Sequence, residues 1–311
     1  MVSNSELALE QVEQYFAHIG LPTQVAQVQN AQVNLETLSA IQAHHLSRIP
    51  YENLALHYSK SPRISLNISD IYHKFIVKGR GGYCMEHNLL FGHVLRFLGF
   101  QVYLTGARLH RDATTSMPGW SGWEHAVNIV TLADHTQYLV DVGYGGDGPI
   151  LPVPLLVTTP EVTLPNLGIQ ELRLLYDTVP GLSYQEGQKL WAYQVRNGAD
   201  QSWRPCYAFS DLEFRPRDFE VMNFYTSQSP ASFLTTRILV IRFLQREGQI
   251  YGKVVLDQDK VKVNTGGKSV LVQTCATEAE RVEVLRERFD VILAGEEQEA
   301  IYGRTSALAR C

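Results

Sequence analysis

Among the residues of this sequence, the cysteine that follows two glycines and a tyrosine is the best placed to do chemistry. The run that begins at Arg80 reaches Cys84, and the residues from Leu89 to Leu98 are apolar at helical spacing. The pattern predicts a tight turn that leads into a helix. Because glycine adopts backbone conformations closed to other residues and a helix N-terminus carries partial positive charge, this position favours a thiolate over a thiol. A lone cysteine is more often a small buried apolar residue, but position and neighbours indicate a nucleophile here.

A histidine and an aspartate occur where they can serve such a nucleophile. A nucleophilic cysteine needs a histidine as proton acceptor and a third polar group that orients the histidine. Residues 123–130 have the alternation of a strand and carry His125, and residues 137–142 predict a partner strand that carries Asp141. The polar residues 133–136 predict a hairpin loop between the two strands. We expect this hairpin to place His125 beside Asp141 at a cleft.

From these residues alone, two reactions and one non-enzymatic role stay open. A thiolate paired with an imidazolium attacks an activated carbonyl, forms a covalent acyl-enzyme and passes the acyl group to a second nucleophile. Water as the acceptor gives a cysteine hydrolase, and an amine as the acceptor gives an acyltransferase. A binding module without activity is disfavoured, because the candidates Cys84, His125 and Asp141 are all present.

The sequence resembles the arylamine N-acetyltransferase family in six segments. In family order these are residues 48–54, 80–86, 123–125, 140–143, 223–225 and 229–233. The resemblance implies that Cys84, His125 and Asp141 are nucleophile, base and orienting acid, and it favours transfer over hydrolysis. It further implies a coenzyme A thioester, acetyl-CoA or a related acyl-CoA, as co-substrate and an arylamine or arylhydrazine as acceptor. A ping-pong mechanism through a thioester on Cys84 and a role in xenobiotic metabolism follow from the same resemblance.

The resemblance also assigns residues to coenzyme A. These are Ser121 and Gly122 before the histidine strand, and Tyr225, Ser232 and Phe233 in the last third of the chain. The choice among acetyl, propionyl and malonyl donors stays open at this point, as does the oligomeric state.

Arg80 has two predicted partners upstream. Glu52 and Asn53 lie in a segment apolar enough to be buried, so their polar groups need hydrogen-bond partners. Arg80, beside the cysteine turn, is the natural one. We expect a charge-assisted clamp that supports the turn, against the alternative of a solvated surface turn.

Composition excludes several classes of function. The chain has 311 residues, 45% of them hydrophobic, and a net charge of −5, which argues against a nucleic-acid partner. No apolar run is long enough to span a membrane, and the first residues lack the features of a signal peptide, so we expect a cytoplasmic protein. Its four cysteines form no CxxC pair, so neither disulfides nor a zinc site is expected. Adjacent His44 and His45 point to different faces of a helix, which makes them poor joint metal ligands and indicates surface and packing roles.

The predicted fold is α+β in three parts around a cysteine-protease-like Cys-His-Asp core. Residues 1–98 form a helical bundle that carries the cysteine, residues 99–214 an antiparallel β-barrel-like domain that carries the histidine and aspartate, and residues 215–311 an α/β lid. Residues 147–165, with five prolines, predict an irregular surface connector. The lid is expected to end in a helix from Glu278 to Leu293 capped by Thr277, and the last residues, 305–311, to fray or to fold over the site. Further strands are expected at 171–177, 190–197, 237–244, 250–256 and 260–263.

Overall fold

Helices dominate the first hundred residues and return near the end of the chain. The computed structural model describes residues 5–21, 33–112, 118–159, 161–181, 183–184 and 186–310. Asn34 caps the second helix through its side chain, and that helix ends before Pro50, as the sequence predicts. The helices are α1 (Leu9–Ile19), α2 (Leu35–Arg48), α3 (Ile68–Tyr72), α4 (Cys84–Phe97), α5 (Pro216–Gln228), α6 (Phe233–Thr236), α7 (Glu278–Phe289) and α8 (Gly295–Glu299).

The strands form two antiparallel sheets. The larger sheet has the order β5-β4-β3-β2-β9-β8-β7-β6, and the smaller has the order β1-β10-β11-β12-β13. The larger contains β2 (Gln101–Arg111), β3 (Gly119–Thr131), β4 (Gln137–Val140), β5 (Val153–Pro154), β6 (Leu164–Pro165), β7 (Gln170–Thr178), β8 (Lys189–Asn197) and β9 (Arg204–Phe209). The smaller contains β1 (Tyr51–Glu52), β10 (Leu239–Arg246), β11 (Gln249–Asp257), β12 (Lys260–Asn264) and β13 (Val270–Thr274).

The larger sheet is a curled half-barrel instead of the predicted barrel-like domain. Its edge strands β5 and β6 do not pair with each other among the described residues, so the sheet stays open. Both edge strands lie within residues 147–165, which were expected to be wholly irregular. Val153 of this segment is buried, so the connector packs against the sheet and is not confined to the surface.

Several further elements differ from the sequence expectation, among them β9, α5 and α7. Strand β9 was not among the predicted strands, and it contains Pro205, a residue that strands disfavour. Helix α5 was also missed, although Pro216 at its first position and Asp218, which accepts from the Arg215 N–H, are start signals. Helix α7 begins after Thr277 as expected but ends at Phe289, because Asp290 adopts a left-handed conformation with φ of 58°.

Helix α4 is the element that positions the cysteine. Its side chains Leu90, Phe91, Val94 and Leu95 are fully buried in one apolar cluster shared with α1, α2 and residues of β3 and β4. A helix packed on both sides holds its first turn fixed relative to the sheet. Cys84, the first residue of α4, therefore lies at the junction of the helical part and the larger sheet.

The smaller sheet reaches back to the cysteine turn. Strand β1 pairs with β10 through Tyr51 and Ile241, and Tyr51 also bridges to Gly82.

The end of the chain pairs with the start of α7 and does not fold over the cysteine turn, since Ala309 bridges to Thr277. The division at residues 98 and 214 stays a prediction. In the described ranges, no helix is long and apolar enough to cross a membrane.

Candidate active site

The turn before Cys84 is held by close packing. A Cβ atom at Gly81 would lie 1.7 Å from the Pro50 carbonyl oxygen, and one at Gly82 would lie 2.5 Å from Glu86 Oε2. Neither glycine has a positive φ, so they are required for close approach and not, as the sequence suggested, for special backbone conformations. Glu86 Oε2 accepts from the Tyr83 N–H at 3.1 Å and so caps α4.

His125 and Asp141 meet across the hairpin. His125 Nε2 lies 2.7 Å from Asp141 Oδ2, and both residues are buried. The second carboxylate oxygen accepts from Asn88 Nδ2 at 3.0 Å and from the Gly143 N–H at 2.9 Å. Asp141 directly follows β4, which places it at the strand end where the sequence argument put it.

Burial and charge act in opposite directions on this pair. Burial alone lowers the pKa of His125, but the charge and hydrogen bond of Asp141, with smaller contributions from Cys84, raise it to about 10. Burial raises the pKa of Asp141, yet His125, Asn88 and the Gly143 N–H together lower it. Cys84 Sγ lies 3.7 Å from the carbonyl oxygen of Glu124, the residue before His125. A protonated His125 beside an ionised Asp141 is therefore the stable arrangement near neutral pH.

Asn88 is a site residue that the sequence argument did not single out. Besides Asp141, its amide donates to the Ala126 carbonyl, and its Oδ1 accepts from Asn128 and from the Val142 N–H. It lies four residues after Cys84 and hence on the same face of α4. This spacing from Cys84, together with an amide side chain on an otherwise apolar helix face, could have indicated a site residue from the sequence.

Cys84 and His125 line a cleft of about 700 Å³. Ser232 and Phe233 line the same cleft, and Ser232 is buried with its hydroxyl donated to the Thr226 carbonyl at 2.7 Å. The other three residues assigned to coenzyme A line a neighbouring cavity of about 410 Å³; they are Ser121, Gly122 and Tyr225. Arg111 and Glu124 line both cavities and form an ion pair between them. The five assigned residues therefore fall into two adjoining spaces.

Arg80 is buried against Glu52, and a third residue joins them. Arg80 Nε donates to Glu52 Oε1 at 3.2 Å, while Nη1 donates to Glu297 Oε1 of α8 at 3.0 Å. Burial raises the pKa of Glu52, but the Arg80 charge and further contacts lower it overall. The hydrogen bonds of Asn53 go elsewhere, to backbone groups of Leu234, Arg237 and Leu239.

A chain of hydrogen bonds runs behind the cysteine helix. His87 Nε2 lies 3.1 Å from the Pro50 carbonyl, His87 Nδ1 lies 2.8 Å from His45 Nε2, and His45 Nδ1 lies 2.8 Å from the Tyr15 hydroxyl. Because the carbonyl only accepts, His87 Nε2 carries a proton, and with both rings neutral the other two links donate in the same direction. Burial lowers the pKa of both rings, that of His87 to about 4. His45, expected to be a surface or packing residue, is fully buried.

Within the part of the chain that the structure describes, no group of three or more His, Cys, Asp or Glu side chains could hold a metal ion.

Comparison with known proteins gives one consistent result. A family model described as N-acetyltransferase matches residues 34–298. N-malonyltransferase FDB2 of Fusarium pseudograminearum (strain CS3096) is 35% identical over 281 residues, 86% of this chain and 81% of that protein. Arylamine N-acetyltransferase, liver isozyme, of Gallus gallus is 26% identical over 293 residues, 91% of this chain and 96% of that protein. The solved arylamine N-acetyltransferase from Mycobacterium abscessus has a TM-score of 0.77 at 28% identity, covering 97% of this chain and 95% of that one.

The mixed α/β fold and its curled antiparallel sheet, together with these relatives, define the protein as an acyltransferase. The chain belongs to the arylamine N-acetyltransferase family. The resemblance inferred from six short segments is thereby confirmed at the level of the family and of the enzyme class.

Proposed function

We propose that the protein moves a short acyl group from coenzyme A to an arylamine or arylhydrazine by a ping-pong mechanism through a thioester on Cys84. The observation that supports the proposal most strongly is that Cys84 and His125 line one cleft and that His125 Nε2 lies 2.7 Å from Asp141 Oδ2. Family membership supports transfer to an amine and a coenzyme A donor.

In the first half-reaction, the Cys84 thiolate attacks the thioester carbonyl carbon of the acyl-CoA. The carbon–sulfur bond to coenzyme A breaks, and the departing thiolate takes the proton held by His125. In the second half-reaction, the amine nitrogen attacks the acyl-Cys84 carbonyl while neutral His125 accepts the amine proton. Cys84 leaves as a thiolate, so the enzyme returns to its starting charge state.

Asp141 acts in both halves by holding the ring. Its Oδ2 is bonded to Nε2 of His125, which leaves Nδ1 for the sulfur, and its charge stabilises the imidazolium. Asn88 and the Gly143 N–H fix the carboxylate in turn. Asn88 and the Gly143 N–H therefore position Asp141, and neither of them contacts the reacting atoms.

The two adjoining cavities suit a long donor and a flat acceptor. We assign the coenzyme A contacts to Ser121, Gly122, Tyr225, Ser232 and Phe233, which line the two spaces on either side of the Arg111–Glu124 pair. The relatives carry both N-malonyltransferase and N-acetyltransferase names, so the acyl group is a short one of either kind. A cytoplasmic location, where thiols stay reduced, stays a prediction.

Intact-protein mass spectrometry tests the proposal. Incubation with acetyl-CoA or malonyl-CoA without an acceptor should add one acyl group per chain, mapped by proteolysis to Cys84, and a later addition of 4-methoxyaniline should remove it as the N-acyl product. Acylation that is discharged equally fast without the amine identifies a hydrolase instead. No acylation by either donor contradicts the proposal.

A further inference from the structure

A buried lysine lies among apolar residues on the wall of the cysteine cleft. Strands β10 and β11 pair with Ile241 opposite Val255 and Phe243 opposite Lys253. Residues two apart share a face of a strand, and Leu239, Ile241, Val255 and Lys253 all line the cleft. The Lys253 side chain is only 9% exposed. An ammonium held this deep needs a reason beyond solubility.

Lys253 and Cys84 line the same cleft, and a short loop runs between them. A Cβ atom at Gly143 would stand 2.7 Å from Cys84 Cα, and one at Gly146 would stand 3.4 Å from Lys253 Nζ. The three peptide units between these glycines span at most about 11 Å. The short loop from Gly143 to Gly146 thus connects the cysteine with the ammonium along the wall of the cleft.

The charge around Lys253 is not balanced. Lys253 Nζ lies 3.1 Å from Asp147 Oδ1, but Asp147 Oδ2 is also 2.6 Å from Arg204 Nη2. One carboxylate therefore serves two cations. Burial raises the pKa of Asp147, yet the charges of Lys253 and Arg204 outweigh it and lower the pKa overall.

Two other cations on the cleft wall are neutralised one to one. Arg111 pairs with Glu124, and Arg237 pairs with Asp257. Lys253 lies on β11 and Lys262 on β12, which is one strand farther from β1 and the cysteine turn. Neighbouring strands of a sheet are about 4.8 Å apart. Among these cations, Lys253 is the buried one whose carboxylate partner also serves a second cation.

We propose that the acyl subsite of this enzyme is built for a short acyl group that ends in a carboxylate, of the malonyl class, and that Lys253 selects it. The inference rests on the proposed acyl transfer through Cys84. An ammonium has three donors, and two of those of Lys253 go to the Gly146 carbonyl and Asp147, which leaves one for the substrate carboxylate. An acetyl group offers no partner to that donor. Charge-assisted bonds of this kind are about 2.7–2.9 Å long and roughly twice as strong as bonds between neutral groups.

The test compares donors, because the coenzyme A moiety is common to all of them. Acylation rates of Cys84 are measured with malonyl-CoA, acetyl-CoA and propionyl-CoA in the parent, in Lys253→Met and in the control Lys262→Met. We expect Lys253→Met to lower the ratio of malonyl to acetyl kcat/KM by about 10- to 100-fold, as for loss of a charge-assisted hydrogen bond. Lys262→Met should keep the parental ratio. Propionyl-CoA, uncharged but larger than acetyl-CoA, should follow acetyl-CoA and so separates charge from size.

Several outcomes would overturn the inference without touching the proposed function. If Lys253→Met slows all three donors equally and weakens inhibition by free coenzyme A, the ammonium binds the cofactor phosphates. If all donors slow and the melting temperature falls, the lysine only holds the Gly146 loop. A parent that shows no preference for malonyl-CoA refutes it too. Absence of acylation by every donor would instead overturn the proposed function itself.

Discussion

Two buried cysteines of this chain have opposite surroundings. Cys84 begins α4 beside His125, with Asp141 behind the ring, at the wall of a cleft. Cys206 lies in β9 inside the larger sheet, fully buried, with Arg204 Nη1 3.6 Å from its sulfur. Burial raises the pKa of Cys206 to about 11 in spite of that arginine. A neighbouring cation is thus not enough to make a buried cysteine reactive.

The difference lies in what each site does with charge. Around Cys84, the positive charge is a buried imidazolium that Asp141 and Asn88 hold in place. Around Cys206, the arginine is half-exposed and already paired with Asp147. A charge that is fixed and desolvated interacts more strongly with a nearby sulfur than one shared with solvent and a carboxylate. The following variants test this contrast, in order of decreasing expected effect.

Exchanging sulfur for oxygen should separate the two cysteines most clearly. Cys84→Ser removes the nucleophile with little change in shape, so turnover should fall on the order of 10³-fold or more. The matched variant Cys206→Ser should keep most of the activity. Steady-state N-acylation of an aromatic amine is the readout, with circular dichroism to confirm the fold. Substantial activity in Cys84→Ser would exclude the covalent mechanism.

Asp141→Asn tests whether the fixed imidazolium distinguishes the sites. An amide cannot stabilise the imidazolium and can hold the ring in the wrong tautomer, so kcat should drop by about 10³- to 10⁴-fold. Asn88→Ala, which leaves Asp141 its bond to the Gly143 N–H, should cost far less. Both are measured as single-turnover acylation rates. An Asp141→Asn effect within about tenfold, or ~1.4 kcal/mol of barrier, would mean that another residue orients His125.

Arg80→Met tests how the turn before Cys84 is held, a device that the β9 cysteine lacks. Removing one member of a buried pair leaves an uncompensated charge at Glu52, so the free energy of unfolding should fall by roughly 3–5 kcal/mol, with slower acylation. Glu52→Gln should give a related, non-additive loss. Glu297→Gln is the control, because its carboxylate is about one-third exposed and should cost about 0–1 kcal/mol. If Arg80→Met and Glu52→Gln both melt like the parent, and the double variant shows simple additivity, Arg80 does not hold the turn before Cys84.

The pH dependence of stability should carry the smallest signal. An unfolded histidine has a pKa near 6.5, whereas the folded His125 keeps its proton up to about 10. The folded state thus binds more protons between these values, and its extra stability is complete below about pH 6.5 and lost as the pH rises toward 10. Urea unfolding at pH 6.5, 8 and 9.5 should show the decline, and His125→Gln should show less of it. Parallel profiles for the two proteins would contradict the raised pKa.

The sequence predicted the elements of the site better than their supports. Local signals such as the Pro50 stop, the Thr277 cap and the hairpin that pairs His125 with Asp141 depend on neighbouring residues, so a single sequence contains them. Asn88 was missed because its role depends on strand ends far along the chain. The role predicted for Gly81, a special backbone conformation, was wrong for the same reason. Gly81 is needed because the Pro50 carbonyl, from another segment, packs closely against it. Long-range packing of this kind has no periodic signature.

The division of the coenzyme A residues between two cavities was equally beyond local pattern. Tyr225 lies on α5, which the sequence argument did not recognise as a helix, and it faces the cavity lined by Ser121 and Gly122. Glu297 reaches Arg80 from more than two hundred residues away. Such contacts follow only from the packing of the whole chain.

Alkylation mapped by residue distinguishes the thiol of Cys84 from those of the other buried cysteines. The parent is treated with iodoacetamide from pH 5.5 to 8.5, and the labelling rates of Cys84, Cys206 and Cys275 are measured by peptide mass spectrometry. If Cys84 is a thiolate paired with the His125 imidazolium, it should be labelled faster than the other two cysteines, also below neutral pH. Burial raises the pKa of Cys206 to about 11, so this residue should stay essentially unlabelled. Cys275 should also stay unlabelled, because its pKa is raised as well, mainly by burial. Equal labelling of all three, or labelling of Cys84 only at the alkaline end, would contradict the account.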